Sequence, residues 1–148
     1  MKLLLAALLS IACIACEQKH GQPASSVAEK NKEMLKRAYS EIVAGQNYSL
    51  IDSFFSTNIF DHNAFEGQQQ GLAGFKRAVS EFLGTFSHIE IAIEAIIAEG
   101  DLVSTREAWK VIRASDKKEL TGQTMHWFLI KDGKITDEWS KGWEWAEG

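Results

Sequence analysis

Residues 120–145 read LTGQTMHWFLIKDGKITDEWSKGWEW, and this stretch decides the fold. Apolar side chains alternate along Leu120–Lys131 and again along Lys134–Trp145, with Asp132-Gly133 between them. An Asp-Gly pair joining two period-two runs marks a β-hairpin, because both residues accept the positive φ that a tight turn between twisted strands needs. Upstream, Leu102–Ala114 and His88–Glu99 carry the same alternation, and the joins at Gly100-Asp101 and Ser115–Glu119 are short. Four strands joined by such turns form an antiparallel meander.

Before Ser87 the period is that of a helix. Val27–Ala44 repeats Met34, Leu35, Ala38, Tyr39, Ile42 and Val43 at three- and four-residue spacing. Ser25 or Ser26 can cap this helix and Gly45 can end it. Ser49–Phe55 predicts a short second helix, Ile59–Asn63 an extended piece, Glu66–Gln70 a polar loop, and Gly71–Phe86 a third helix. Helices first and strands after define an α+β fold, with three helices packed over one face of a curved antiparallel sheet. The expected core is Leu35, Tyr39, Ile42, Phe54, Phe75, Phe82, Ile93, Trp109 and Phe128.

At 148 residues, 45% hydrophobic and 24% charged, the chain suits one globular domain and excludes wholesale disorder. A net charge of −4 without a basic stripe argues against nucleic acid as a partner. The only 2 cysteines are Cys13 and Cys16, which leaves the domain no disulfide framework and no catalytic thiol. Met1-Lys2 is a positive start, and Leu3–Ala15 is an apolar run too short to cross a bilayer comfortably. The run stops at Cys16, and polar residues follow at once. This resembles a bacterial lipobox, although the usual leucine three residues before the cysteine is missing. The reading is a signal peptide over residues 1–15, a lipid-anchored tether over 16–26, and one domain over 27–148. Cys13 is the alternative lipid site. The protein is then held in the cell envelope, touching membrane through its N-terminal lipid only.

The register of the last hairpin decides which chemistry shares a face. A two-residue loop would set His126 opposite Trp139, while a three-residue loop with Gly133 in a bulge would set it opposite Glu138. The second register gathers Met125, Trp127, Leu129, Ile135, Trp139 and Trp143 on one face, and Thr124, His126, Phe128, Thr136, Glu138 and Ser140 on the other. That cleaner partition favours the bulged turn. Were Asp137 inward instead, the pair would be His126–Asp137. Glu107 alternates in step with Val103, Thr105, Trp109 and Val111; a carboxylate on that face needs a partner or a raised pKa.

Several strings taken in order carry a family resemblance. They are Phe54-Phe55, Ile59-Phe60-Asp61-His62-Asn63, Gly71-Leu72-Ala73-Gly74-Phe75, Ile96 through Val103, and Asp132-Gly133-Lys134-Ile135 followed by Trp139. Over residues 27–145 the chain resembles the SnoaL-like polyketide cyclase/ester cyclase branch of the NTF2-like superfamily. The resemblance implies a cone: a bent sheet wrapped by helices around a pocket. It also implies that a histidine on the third long strand, matched by His126, and an aspartate just after the final-strand tryptophan carry an acid–base step. Ser140 stands in place of that aspartate, so Glu138 is the carboxylate left to act. His62 is expected at the pocket mouth as an orienting group. Phe54, Phe75, Phe128 and Ser140 are expected to line a pocket for a small apolar molecule.

Two functions follow: an acid/base enzyme of cyclase, isomerase or hydrolase type, or a non-catalytic ligand- or protein-binding module. For each residue a plainer role competes. His126 can be a hydrogen-bonded strand residue, Asp61-His62-Asn63 a turn, and Glu138 a solvent-facing carboxylate. The 4 histidines form no ligand pair at helix or strand spacing, so neither metal nor cofactor is expected. Both sheet faces are apolar while helices cover one, which predicts a homodimer with Trp139, Trp143, Met125 and Trp127 at or under the interface.

The N-terminal reading gives a first expected outcome. Cys16→Ala should abolish metabolic labelling with a fatty-acid analogue, and Cys13→Ala should leave it intact. The reverse pattern would move the site to Cys13.

Overall fold

A computed structural model describes residues 26–142 and 144–148. The signal peptide, Cys13, Cys16 and the tether up to Ser25 lie outside the described residues, as does Trp143. Helix α1 spans Val27–Ala38 and widens into a π-helical turn over Tyr39–Ala44. Ser26 caps it, accepting the Glu29 N–H at 3.2 Å, and the Gly45 N–H closes it on the Ser40 carbonyl. A 3₁₀ turn at Tyr48–Leu50 leads into the single-turn α2, Ile51–Phe54. Strand β1 is Phe55–Asp61 and helix α3 is Leu72–Leu83. The meander follows as β2 Phe86–Glu99, β3 Leu102–Arg113, β4 Glu119–Lys131 and β5 Lys134–Lys141. A short β6, Trp145–Glu147, returns to pair with β4.

The sheet order is β1-β5-β4-β3-β2. The four meander strands are antiparallel as expected, but β1 joins the edge of β5 in parallel, so the sheet is mixed. Ile59–Asn63 carried no signal for its neighbour, because that neighbour lies at the far end of the chain. A second correction concerns Lys134–Trp145, which is not one strand. β5 ends at Lys141, Gly142 takes φ 92°, and the chain rejoins β4 only at β6, still antiparallel to it. Trp145 then lies on Gly122, where a Cβ would sit 2.9 Å from the indole and 3.0 Å from the Glu144 carbonyl. Only glycine permits that approach.

The last hairpin departs from both sequence registers. Asp132 and Gly133 both hold positive φ, 50° and 71°, and form the two-residue turn that an Asp-Gly pair favours. Lys131 therefore faces Lys134, and Ile130 faces Ile135. The register then slips: Leu129 pairs with Asp137, leaving Thr136 as the extra residue, its hydroxyl donating to the Leu129 carbonyl. His126 ends opposite Ser140, and Phe128 opposite Glu138. The bulge exists, but at Thr136, three residues beyond the proposed Gly133. Its cause is packing, since it keeps both Ile135, fully buried, and Glu138 on the concave face. Ile135 is thus inside rather than with the tryptophans.

Helices α1 to α3 cover the concave face. Leu35, Tyr39, Ile42, Phe54, Phe75, Trp109 and Phe128 are buried as expected. Phe82 and Ile93 are only half-buried. Phe82 stacks under Phe65 at a cavity mouth, with ring centroids 5.5 Å apart, so it is a lining residue rather than a core plug. In urea, Phe54→Ala should therefore lose about 3–5 kcal/mol, because transfer and cavity terms add, and Phe82→Ala distinctly less. Equal losses would contradict this division.

Candidate functional site

The concave face of β3 carries Thr105, Glu107 and Trp109, and that of β4 carries Thr124, His126 and Phe128. Glu107 pairs across with Thr124, and Thr105 with His126. Glu107 is completely buried. Its two oxygens are saturated by donors: the Tyr39 hydroxyl at 2.7 Å on Oε1, and the Thr124 hydroxyl at 2.7 Å and His126 Nδ1 at 3.0 Å on Oε2. The Trp109 indole N–H donates to the Thr124 oxygen at 2.7 Å, which leaves the Thr124 proton for Glu107. Burial alone would raise the Glu107 carboxyl, but the hydrogen bond and charge of His126, with the Tyr39 hydroxyl, outweigh it and hold its pKa below the ordinary value. Burial, then the Glu107 charge, push the Tyr39 phenol well above its usual value, so Tyr39 remains a donor.

An ionised acceptor at Nδ1 requires a proton there. The lone pair of neutral His126 is therefore on Nε2. That nitrogen points across the pocket to Glu138 Oε1 at 3.6 Å. Glu138 is itself only 7% exposed. Burial, and secondarily the Asp61 carboxylate from β1, raise its pKa to about 8. Near neutral pH Glu138 thus keeps its proton, 3.6 Å from His126 Nε2.

These groups open onto a cavity of about 390 Å³, lined mainly by apolar side chains including Leu35, Ile42, Phe55, Phe75 and Phe128. The expected lining residues Phe75, Phe128 and Ser140 are present, and His126 and Glu138 converge there. Phe54 does not line it. That ring is buried in the core with the Arg37 guanidinium 5.5 Å above it, and its neighbour Phe55 faces the cavity instead. His62 is also absent from the lining. Alternation on β1 sends Asp61 inward and His62 outward. There His62 stacks on Trp139, centroids 4.0 Å apart, and its Nε2 meets Asp137 at 3.1 Å. Asp137 is outward, which removes the His126–Asp137 alternative.

Sequence reasoning missed Asp61 and Tyr39 as site residues. Asp61 was hidden in a turn-like tripeptide, and Tyr39 read only as helix core. Tyr39 begins the π-helical turn, a local widening that often marks a functional position. Glu107 did leave a signal, in its alternation with buried neighbours.

A cone of helices over a curved mixed sheet is the NTF2-like fold. The SnoaL-like polyketide cyclase model matches residues 33–142, and the chain belongs to that family. Solved structures agree. A candidate polyketide cyclase from Bacillus cereus is 27% identical over 76% of this chain and 74% of its own, with a TM-score of 0.66. A SnoaL-like polyketide cyclase from Agrobacterium tumefaciens is 13% identical over 80% and 92%, TM-score 0.65. An LEH-like epoxide hydrolase from M. tuberculosis is 16% identical over 78% and 84%, TM-score 0.63. No curated protein matches the chain.

The geometry gives two expected outcomes. Glu107→Ala strips the acceptor from three buried donors and should cost about 3 kcal/mol or more in denaturant. For Glu138, a folded pKa raised to about 8 means the native state holds a proton that the unfolded chain releases above its ordinary value of 4.5. Stability should therefore fall as pH rises from 4.5 to 8, by on the order of a few kcal/mol at most, and then level. Glu107, shifted the other way, loses its contribution only below 4.5. Glu138→Gln should flatten the slope between pH 5 and 8, read from melting midpoints across that range.

Proposed function

We propose that this protein is an acid/base catalyst acting on a small, mostly apolar carbonyl compound, held in the cell envelope by a lipid on Cys16. The observation that carries the reading is the polarity of the buried relay. Glu107 fixes the Nδ1–H tautomer of His126, so Nε2 is a base directed into an apolar cavity beside the protonated carboxyl of Glu138. A substrate carbon next to a carbonyl could lose its proton to His126 Nε2, while Glu138 donates to the developing enolate oxygen. The same pair serves ring closure, double-bond migration or, with water as the nucleophile, ring opening. The names of the related structures, polyketide cyclase and epoxide hydrolase, fall within that range of chemistry.

Ser140 supports a second reading. It occupies the cavity where the family resemblance places an aspartate, which is compatible with a pocket that binds without turning over. Lipid attachment and envelope location rest on the N-terminal sequence. Homodimer formation rests on exposed apolar side chains of the convex face, among them Met125, Leu102 and Ile97. Sedimentation of the chain at micromolar concentration should give twice the monomer mass.

The test of catalysis is deuterium exchange at the carbon between the carbonyls of apolar β-keto esters and 1,3-diketones, followed by NMR in deuterated buffer. The wild type should accelerate exchange for at least one compound. His126→Gln and Glu138→Gln should each lower that rate roughly 10²–10⁴-fold with the melting transition retained. Compounds that bind without exchanging, with affinities indifferent to both substitutions, would replace the catalyst with the binding module.

A further inference from the structure

Burial is the larger reason that Glu138 keeps its proton, and a second lies across the parallel strand pair. Asp61 on β1 stands beside Glu138 on β5, both are 7% exposed, and both line the cavity. Two carboxyls so placed in a low-dielectric site cannot both be ionised without strong repulsion. The hydrogen bonds decide which one keeps the charge. Asp61 Oδ1 accepts the Asn63 N–H at 2.9 Å, and Oδ2 accepts the Gln68 amide at 2.8 Å. Both Asp61 oxygens are thus used as acceptors, the role of the ionised form.

The donors come from the loop between β1 and α3, residues 62–71, and this loop is fixed in place. Gln70 brackets the Asp61 peptide, accepting its N–H at 2.8 Å and donating to its carbonyl at 2.8 Å. Asn63 Oδ1 accepts the Ser140 N–H at 2.9 Å, tying the loop to β5. On the far side the loop presses on α3 at Gly74, where a Cβ would come within 1.9 Å of the Gln69 carbonyl oxygen.

We infer that Asp61 is a positioning residue: it and Glu138 hold one proton between them, and the 62–71 loop, through Gln68, keeps Asp61 the anionic member so that Glu138 carries the proton toward the substrate. The inference rests on the acid/base reading for its purpose, but not for its test. The other ionisable groups facing Glu138 are His126 on β4, Glu107 on β3 behind it, and Tyr39 from α1; the Lys141 side chain lies at the cavity rim. Unlike these, Asp61 is a carboxyl that pairs directly with Glu138 across the strands and has both oxygens held by N–H donors.

The test uses the full chain with ¹³C-labelled Asp and Glu carboxyls, titrated by NMR without substrate. The Glu138 resonance is the one lost in Glu138→Gln. In the wild type it should titrate near pH 8. Asp61→Asn should lower that midpoint by about one to two pH units, because the neighbouring charge is gone. Gln68→Ala should shift part of the proton onto Asp61, moving the Glu138 resonance toward its ionised position at pH 7. A Glu138 midpoint unchanged in a folded Asp61→Asn variant would overturn the inference and leave burial alone as the cause. Should Asp61→Asn not fold, Gln68→Ala decides: an unmoved Glu138 resonance overturns the shared proton. Loss of these shifts leaves the deuterium-exchange result standing, and absence of exchange leaves the shifts standing, so the two readings fail separately.

Discussion

One ionised carboxylate at the centre of the fold constrains the rest. Glu107 is wholly buried on β3, and an unpaired charge there would be too costly for a domain of this size to tolerate. Its two oxygens draw three donors from two elements: Tyr39 from the first helix, and Thr124 and His126 from β4. Meeting that demand fixes the seating of α1 on the sheet, the pairing of β3 with β4 and the tautomer of His126. Trp109 completes the set by saturating Thr124 and leaving its proton only one direction to go. Packing and protonation share the interaction, because the carboxylate that stabilises the packing also sets which His126 nitrogen carries the proton.

The second constraint is geometric. A histidine and a carboxyl on neighbouring strands meet only if both face the concave side, and the Asp132-Gly133 turn on its own would send Glu138 outward. The extra residue at Thr136 reverses the parity of β5 beyond the turn. Burial of Ile135 on one side of the bulge and of Glu138 on the other shows what the irregularity accomplishes. The parallel seating of β1 then adds Asp61 to the same face. An interior carboxylic acid with an anionic neighbour is kept protonated at a pH where an exposed glutamate would be ionised.

The cavity fits this electrostatic design. Its lining is mostly aromatic and aliphatic, so charge is disfavoured except where donors are built in. The polar groups are few and aimed: Glu107 accepts three hydrogen bonds, His126 turns Nε2 toward Glu138, and Glu138 keeps its proton near neutral pH. A pair of ionisable groups whose surroundings push their proton affinities apart is the arrangement from which acid/base chemistry near neutral pH is built.

The sequence by itself determined the succession of elements, the meander and the gathering of His126 and Glu138 on one sheet face. Period-two runs, the Asp-Gly turn and the 3.6-residue spacing of Leu35, Tyr39 and Ile42 are local features, and local features need no tertiary information to be read. His126, Glu138 and Ser140 fell on one face for the right reason, the separation of polar from apolar residues, although the bulge lies at Thr136 rather than Gly133. What only the tertiary structure decided is where distant segments meet. The outward turn of His62, the burial of Phe54 away from the cavity and the place of Asp61 beside Glu138 all follow from β1 pairing with β5, some 75 residues later in the chain. The Tyr39 contact with Glu107 spans a comparable distance. A pattern along the chain reports which side of its own element a residue occupies. It does not report which other element will face it, because that is set by the closing of the sheet into a cone.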